Sequence, residues 1–329
     1  MTAYEEIATV SEPAQAGRRT SLAPAPKKGT SKLKQKEHIT ALAFISVKYV
    51  GLFIFTLLPL LLALLYGFTD YTGADTGKPF FSQLDKLWLG FGNYKALFAS
   101  LTYRKPFLNA IKNNLIFLIS VPLGIFFGLI VAFLLSQGRK VYGSKIIRML
   151  IYVPVVSSAV AMAIIWQYIF DNEYGIINQV LGVNIPWMTN SSWLKVAIII
   201  KTVWGSLGRT MILCIAGLMA VSKDYYEAAE IDGANRFTQF FKISIPLISP
   251  TLFYLLCTGV IGNLQSYVDS EVFANKHSGG QTIVYFIWEY GIRKGLYGLA
   301  SAASFVLSIS IMIITFAQFK ISEKWVYSE

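Results

Sequence analysis

Glu227 and Glu230 bracket Ala228 and Ala229, with Asp232 and Gly233 close behind, in a polar interruption between two long apolar runs. Residues 225–231 are mostly good helix formers, so the spacing predicts a short helix that carries its carboxylates beside small side chains. That shape fits a groove on a partner lined by basic residues. An amphipathic loop on lipid headgroups is the other reading, but anionic lipid attracts Lys and Arg rather than an acidic leading half. Gly233 supplies a sharp turn. Residues 236–245 then resume a helical pattern, with Phe237, Phe240, Phe241 and Ser244 at helical spacing ahead of Pro246 and Pro250.

Other reactive groups are sparse. The chain contains no G-x-x-x-x-G-K-[ST] phosphate loop, no G-x-S-x-G elbow and no H-E-x-x-H. Without them it has no visible means of hydrolysing ATP, esters or peptides, and no catalytic residue is assigned. His38 and His277 fall on opposite sides of the expected membrane, while Cys214 and Cys257 lie inside apolar runs and read as buried small hydrophobes. No metal ligand and no cofactor site is assigned within the chain.

The elements that must position these groups follow from composition. Of 329 residues, 54% are apolar and 14% charged, outside the usual range of a soluble domain. Crossing about 30 Å of hydrocarbon takes roughly 20 residues of helix. Six runs qualify, at 44–66, 113–135, 149–170, 196–220, 247–268 and 298–319. They are continuously apolar rather than alternating, so an all-α integral membrane protein with six transmembrane helices is expected rather than a barrel. Gly124 and Gly128 on the second run read as ordinary close helix packing.

Residues 1–40 form a polar tail, expected to be disordered, with neither a signal peptide nor the acid-poor composition of a transit peptide. Residues 41–329 form the six-span domain, with the candidate coupling segment at 221–246. The net charge of +11 is distributed toward one side. The tail (Arg18, Arg19, Lys27, Lys28, Lys32, Lys34, Lys36), the region around Arg139 and Arg148, and the segment from Lys223 to Lys242 share that side, which places both termini in the cytoplasm. Residues 78–112 put a counter-cluster of cations on the other. Orientation and contact with membrane lipid account for the charge, and no nucleic-acid partner is expected.

The six runs contain no Asp or Glu, which counts against a proton-coupled carrier and points to an external motor. A self-powered secondary carrier or channel is the alternative. Lys48 and Lys201 lie near span ends, where snorkelling suffices. Arg209 lies deeper, facing protein or a watery cavity, in either a functional or a structural role.

The signature E-A-A-x(3)-G at residues 227–233, followed by Pro246, resembles the cytoplasmic signature of permease subunits of binding-protein-dependent ABC importers. Its extended form, EAAEIDGANRFTQFFKISIPLISPTL, looks like the carbohydrate-uptake branch. Further matches run in order: FTDY (68–71), GFGNY (90–94), NAIKNNLIF (109–117), YVPVVSSAVAMAIIWQYIF with EYGIIN (152–178), and SGGQT (278–282). An ordered series over roughly residues 50–320 is far more specific than any single motif. Gln281 stands where the first-subunit type often has proline, but the loop still resembles that type, as in maltose, glycerol-phosphate and multiple-sugar permeases.

The resemblance implies that Glu227, Ala228, Ala229, Asp232 and Gly233 dock into a cleft of a separate ATPase. ATP and Mg²⁺ would bind there and not in this chain, which would not itself be an enzyme. It also implies two ATPase subunits, a second, non-identical permease subunit and an external sugar-binding protein, all serving the inner membrane of a prokaryote. The cargo implied is a sugar, as oligosaccharide or related polyol. On the fifth run Gly259, Asn263, Ser266, Tyr267 and Ser270 share one helical face. Asn263 and Tyr267, with Trp204 on the fourth run, are the candidate pathway residues; close helix packing explains the same pattern.

Overall fold

The computed structural model describes residues 31–75, 77, 81, 87–136, 143–273 and 278–327. Residues 1–30 of the expected tail, Arg139 and His277 lie outside the described residues. The chain divides into a unit Met1–Pro59 and a unit Leu60–Glu329. In the first, α1 (Ser31–Leu52) runs into a π turn at Phe53–Leu57. The helix begins ahead of residue 41, so 31–40 are helical where disorder was expected. Lys32, Leu33, Lys34, Gln35, Lys36 and Glu37 are all favourable helix formers, which is the local reason.

α2 (Leu58–Gly67) leads into the second unit, in which every described element is a helix or turn apart from an isolated bridge between Thr69 and Trp88. There follow α3 (Gly92–Ala99), α4 (Arg104–Phe117), α5 (Ser120–Ser136), α6 (Ser144–Val156), α7 (Ala159–Ile169), α8 (Ile176–Leu181) and α9 (Ser191–Ala220). Beyond them lie α10 (Lys223–Ile231), α11 (Arg236–Gln239), α12 (Ser249–Leu264), α13 (Val268–Phe273), α14 (Ile283–Trp288) and α15 (Tyr297–Ser322).

The all-α membrane fold expected from the apolar runs is what the chain adopts, but the six apolar runs are not six straight helices. Four continuous stretches are long and apolar enough to cross a membrane: Thr40–Gly67, Arg104–Ser136, Ser191–Ala220 and Tyr297–Ser322. The third and fifth runs are bent pairs, Ser144–Val156 with Ala159–Ile169 at 108° and Arg236–Leu247 with Ser249–Leu264 at 64°. Pro154 removes a ladder donor inside α6, and Ser157 Oγ donates to Val153 O while its own backbone is extended. At the other break Ile248 leaves helical geometry between Pro246 and Pro250, neither of which can donate to the preceding turn.

Packing follows residue size. α5 lies against α9 because Gly124 and Gly128 leave room there: a β-carbon at Gly124 would meet Ser206 Oγ, and one at Gly128 would sit 2.6 Å from Thr210 Cβ. Leu129, Ala132, Met211, Cys214, Phe240, Ile248 and Leu255 close one apolar cluster around this contact, and both cysteines are free and buried.

The sequence motifs meet in pairs. Asn93 of GFGNY donates through Nδ2 to Gly67 O and Thr69 O, and the ring of Phe68 packs on Phe91 and Tyr94. NAIKNNLIF meets SGGQT: Asn113 Nδ2 donates to Gln281 O, Asn114 Nδ2 donates to Leu264 O, and Ile283 N–H donates to Asn114 Oδ1. Asn114 is 1% exposed. Asn114→Ala therefore leaves a buried N–H and a buried carbonyl unpaired and is expected to cost about 2 kcal/mol, read as a lower unfolding temperature of the purified protein. Asn114→Asp, which keeps the acceptor for Ile283 but loses the donor to Leu264 O and buries a carboxyl group, is expected to lose at least as much.

Candidate coupling site and polar cavity

The carboxylate-rich segment is α10. Its first turn is capped by Ser222, whose Oγ accepts from Asp224 N–H. Its last turn closes with Gly233 N–H donating to Glu230 O and Ala234 N–H donating to Ala229 O, while Gly233 holds φ 76°. This paired ending needs a left-handed residue just past the helix, which glycine adopts without penalty. Asn235 then caps α11 by accepting from Thr238 N–H.

The segment is tied to the spans at its base. Tyr226 OH and Ser244 Oγ are hydrogen-bonded at 2.9 Å, and the ring of Phe240 lies 4.0 Å from that of Phe133 on α5. Phe240–Ser244 forms a π turn between α11 and the 64° bend. Of the positions singled out by the signature, Glu227, Ala228, Asp232 and Gly233 are exposed and Ala229 is half-buried. Glu227 has no ion pair or hydrogen bond among the described residues. Tyr225, Ile231 and Phe237 are also exposed, which gives the element an apolar surface beside its acids. Charge and small residues thus face outward on a rigid, doubly capped helix, a geometry suited to a basic groove.

The second feature is a half-open cavity of about 230 Å³ between α5, α9 and α12, with Arg209 exposed at its surface. Ser120, Thr202, Ser206, Arg209, Asn263 and Ser266 supply its polar lining. Asn263 Nδ2 donates to Ser120 Oγ at 3.0 Å, and Asn263 Oδ1 is buried without a hydrogen-bond partner. Of the three candidate pathway residues, the structure brings only Asn263 into this lining. Tyr267 packs its ring 5.5 Å from Trp288, and Trp204 packs against Trp166 at 5.3 Å. The helical face expected to run to Ser270 stops early, because α12 ends at Leu264 and the chain turns before α13. Ser270 is instead buried and donates to Gly280 O.

Sequence reasoning missed two things. Thr202, Ser206 and Arg209 recur at i, i+4 and i+7 on the fourth run, a polar stripe that was legible beside the deep arginine. The other is an ion pair. Lys201 does not snorkel: its ammonium meets Asp269 Oδ1, and the two side chains are 14% and 11% exposed. Asp269, just past the fifth run, sits in the first turn of α13, folded back against α9.

The geometry has relatives. Residues 124–326 match the family described as binding-protein-dependent transport system inner membrane component. The probable ABC transporter permease protein YesP of Bacillus subtilis (strain 168) is 31% identical over 307 residues, covering 90% of this chain and 94% of that protein. The lactose transport system permease protein LacF of Rhizobium radiobacter is 28% identical, covering 88% and 96%. In fold, the chain superimposes with a TM-score of 0.74 on one from a bacterial alginate ABC transporter, solved in complex with alginate pentasaccharide-bound periplasmic protein. That match covers 89% of this chain and 96% of the other at 20% identity. The resemblance read from the 227–233 signature and its ordered companions is borne out: this membrane-embedded, multi-pass chain belongs to the family of inner membrane components of binding-protein-dependent transport systems.

Proposed function

We propose that this chain is the transmembrane subunit of an ATP-driven importer of sugars, in the form of oligosaccharides, and that it supplies half of the translocation path. The observation that carries the reading is α10, an exposed, doubly capped helix whose Glu227 has no partner among the described residues. Glu227, Ala228, Ala229, Asp232 and Gly233 form the surface that enters a cleft of a separate ATPase, Glu227 meeting a basic side chain there. Because α10 is bound to the span base through Tyr226 and Ser244, displacement of the ATPases carries the element with it as one body. The bent span that begins at α11 transmits this motion to the wall of the cavity, which opens to one side and then the other. Sugar as cargo is supported by the hydroxyl and amide lining of the cavity and by similarity to LacF.

A motor of two ATPase subunits needs two docking surfaces, so a second, non-identical permease completes the path. ATP and Mg²⁺ are bound in the ATPases. An external sugar-binding protein delivers the cargo, and the assembly sits in a prokaryotic inner membrane with both termini of this chain cytoplasmic.

The test is uptake into proteoliposomes holding the assembled complex. Sugar accumulation is expected only with ATP inside and binding protein outside. Equilibration of sugar by this chain alone, without ATP, is the result that would replace the reading with a self-powered carrier or channel.

A further inference from the structure

We infer that the cavity between α5, α9 and α12 is a subsite for an acidic sugar, in which Arg209 takes a carboxylate; this rests on the sugar-import reading above. Arg209 lies inside the 30-residue span Ser191–Ala220. It is 11 residues from the nearer end, or about 16 Å along the helix axis. A guanidinium at that depth is costly unless it meets water, protein or a ligand of opposite charge. None of the residues lining the cavity is acidic, and Arg209 has no ion pair or hydrogen bond among the described residues.

The rest of the lining is complementary to sugar hydroxyls. Ser206 spends its hydroxyl proton on Val203 O, so its oxygen offers lone pairs to the cavity, while Ser120 Oγ donates to Phe117 O and already accepts from Asn263 Nδ2. Thr202 and Ser266 add further hydroxyl oxygens to the lining. Acceptors of this kind suit the O–H donors of a sugar ring. A carboxylate finds its charged donors at Arg209, whose planar fork matches two oxygens at once.

Charge decides between anions. One guanidinium balances one carboxylate, whereas a phosphate monoester carries close to two negative charges and would leave one uncompensated. Size agrees: about 230 Å³ is less than a complete ligand pocket and suits a single sugar residue. Gly262 keeps this room, since a β-carbon there would meet nothing within 4 Å.

The experiment measures equilibrium binding of trigalacturonate and of its fully methyl-esterified form to the purified, assembled transporter without binding protein. The acid is expected to bind at least tenfold more tightly than the ester, with the difference shrinking as salt rises. Arg209→Gln should bring the acid down to the ester's affinity, Arg209→Lys should keep part of the preference, and Gly262→Phe should remove binding of both. Equal affinity for acid and ester, no binding of either, or tighter binding of glucose 6-phosphate than of the acid overturns the inference. So does loss of the second permease from the complex in Arg209→Gln, which assigns the arginine to a subunit interface. ATP-driven uptake of neutral sugar without acid preference removes this inference alone; absence of ATP-driven uptake of any sugar removes the proposed function.

Discussion

Gly233→Val is expected to abolish ATP-driven uptake while leaving membrane insertion and the spans intact. The cause is backbone geometry rather than crowding, because a β-carbon at Gly233 meets nothing within 4 Å. At φ 76° a β-branched residue is a steric outlier, with a strain of at least about 1–2 kcal/mol. The chain escapes that strain by giving up the two hydrogen bonds that close α10 and fix its angle to α11. Gly233→Asn, which tolerates left-handed geometry, is expected to retain partial uptake. Glu227→Lys tests the same surface without touching the backbone. Its side chain is exposed and has no partner among the described residues, so stability should be unchanged while co-purification of the ATPase falls sharply. Normal uptake and normal ATPase recovery in both Gly233→Val and Glu227→Lys would sink the coupling assignment.

Lys201→Met carries the largest expected effect on stability. It leaves Asp269 buried with its cation removed, a loss of about 3–5 kcal/mol for breaking one side of a buried pair. Lys201→Met combined with Asp269→Leu removes both charges and is expected to recover most of that loss. Thermal unfolding of the purified protein reads both. If the loss in the double variant equals the sum of the losses in Lys201→Met and Asp269→Leu alone, the two residues are not energetically coupled and the pair does not hold α13 against α9.

Much of this protein is written locally. The long apolar runs fix the helices, and the 227–233 signature fixes a short helix with a glycine stop, because propensity and capping act within a few residues. The bends were not legible: Pro154, Pro246 and Pro250 are visible in the sequence, but whether a proline is absorbed or breaks a span is decided by packing. Lys201 and Asp269 are 68 positions apart, and Asn114 reaches Ile283 across 169, so no spacing argument brings either pair together. The cavity was half legible. Asn263 and Arg209 were each visible as polar groups in apolar runs, but their meeting depends on how α9 packs against α5 and α12.

The π turn at Phe240–Ser244 has a consequence for phasing. Such a turn holds one more residue than the α-helical turn it replaces, and one residue amounts to about 100° of rotation about the axis. It stands between the docking helix and the span whose Asn263 lines the cavity. The angular setting of residues 244–247 relative to α11, and with it the direction in which the chain enters the 64° bend at Ile248, is therefore shifted by a single inserted residue. A chain lacking that residue would keep both caps and the prolines of the bend, yet would enter the bend turned by about 100°.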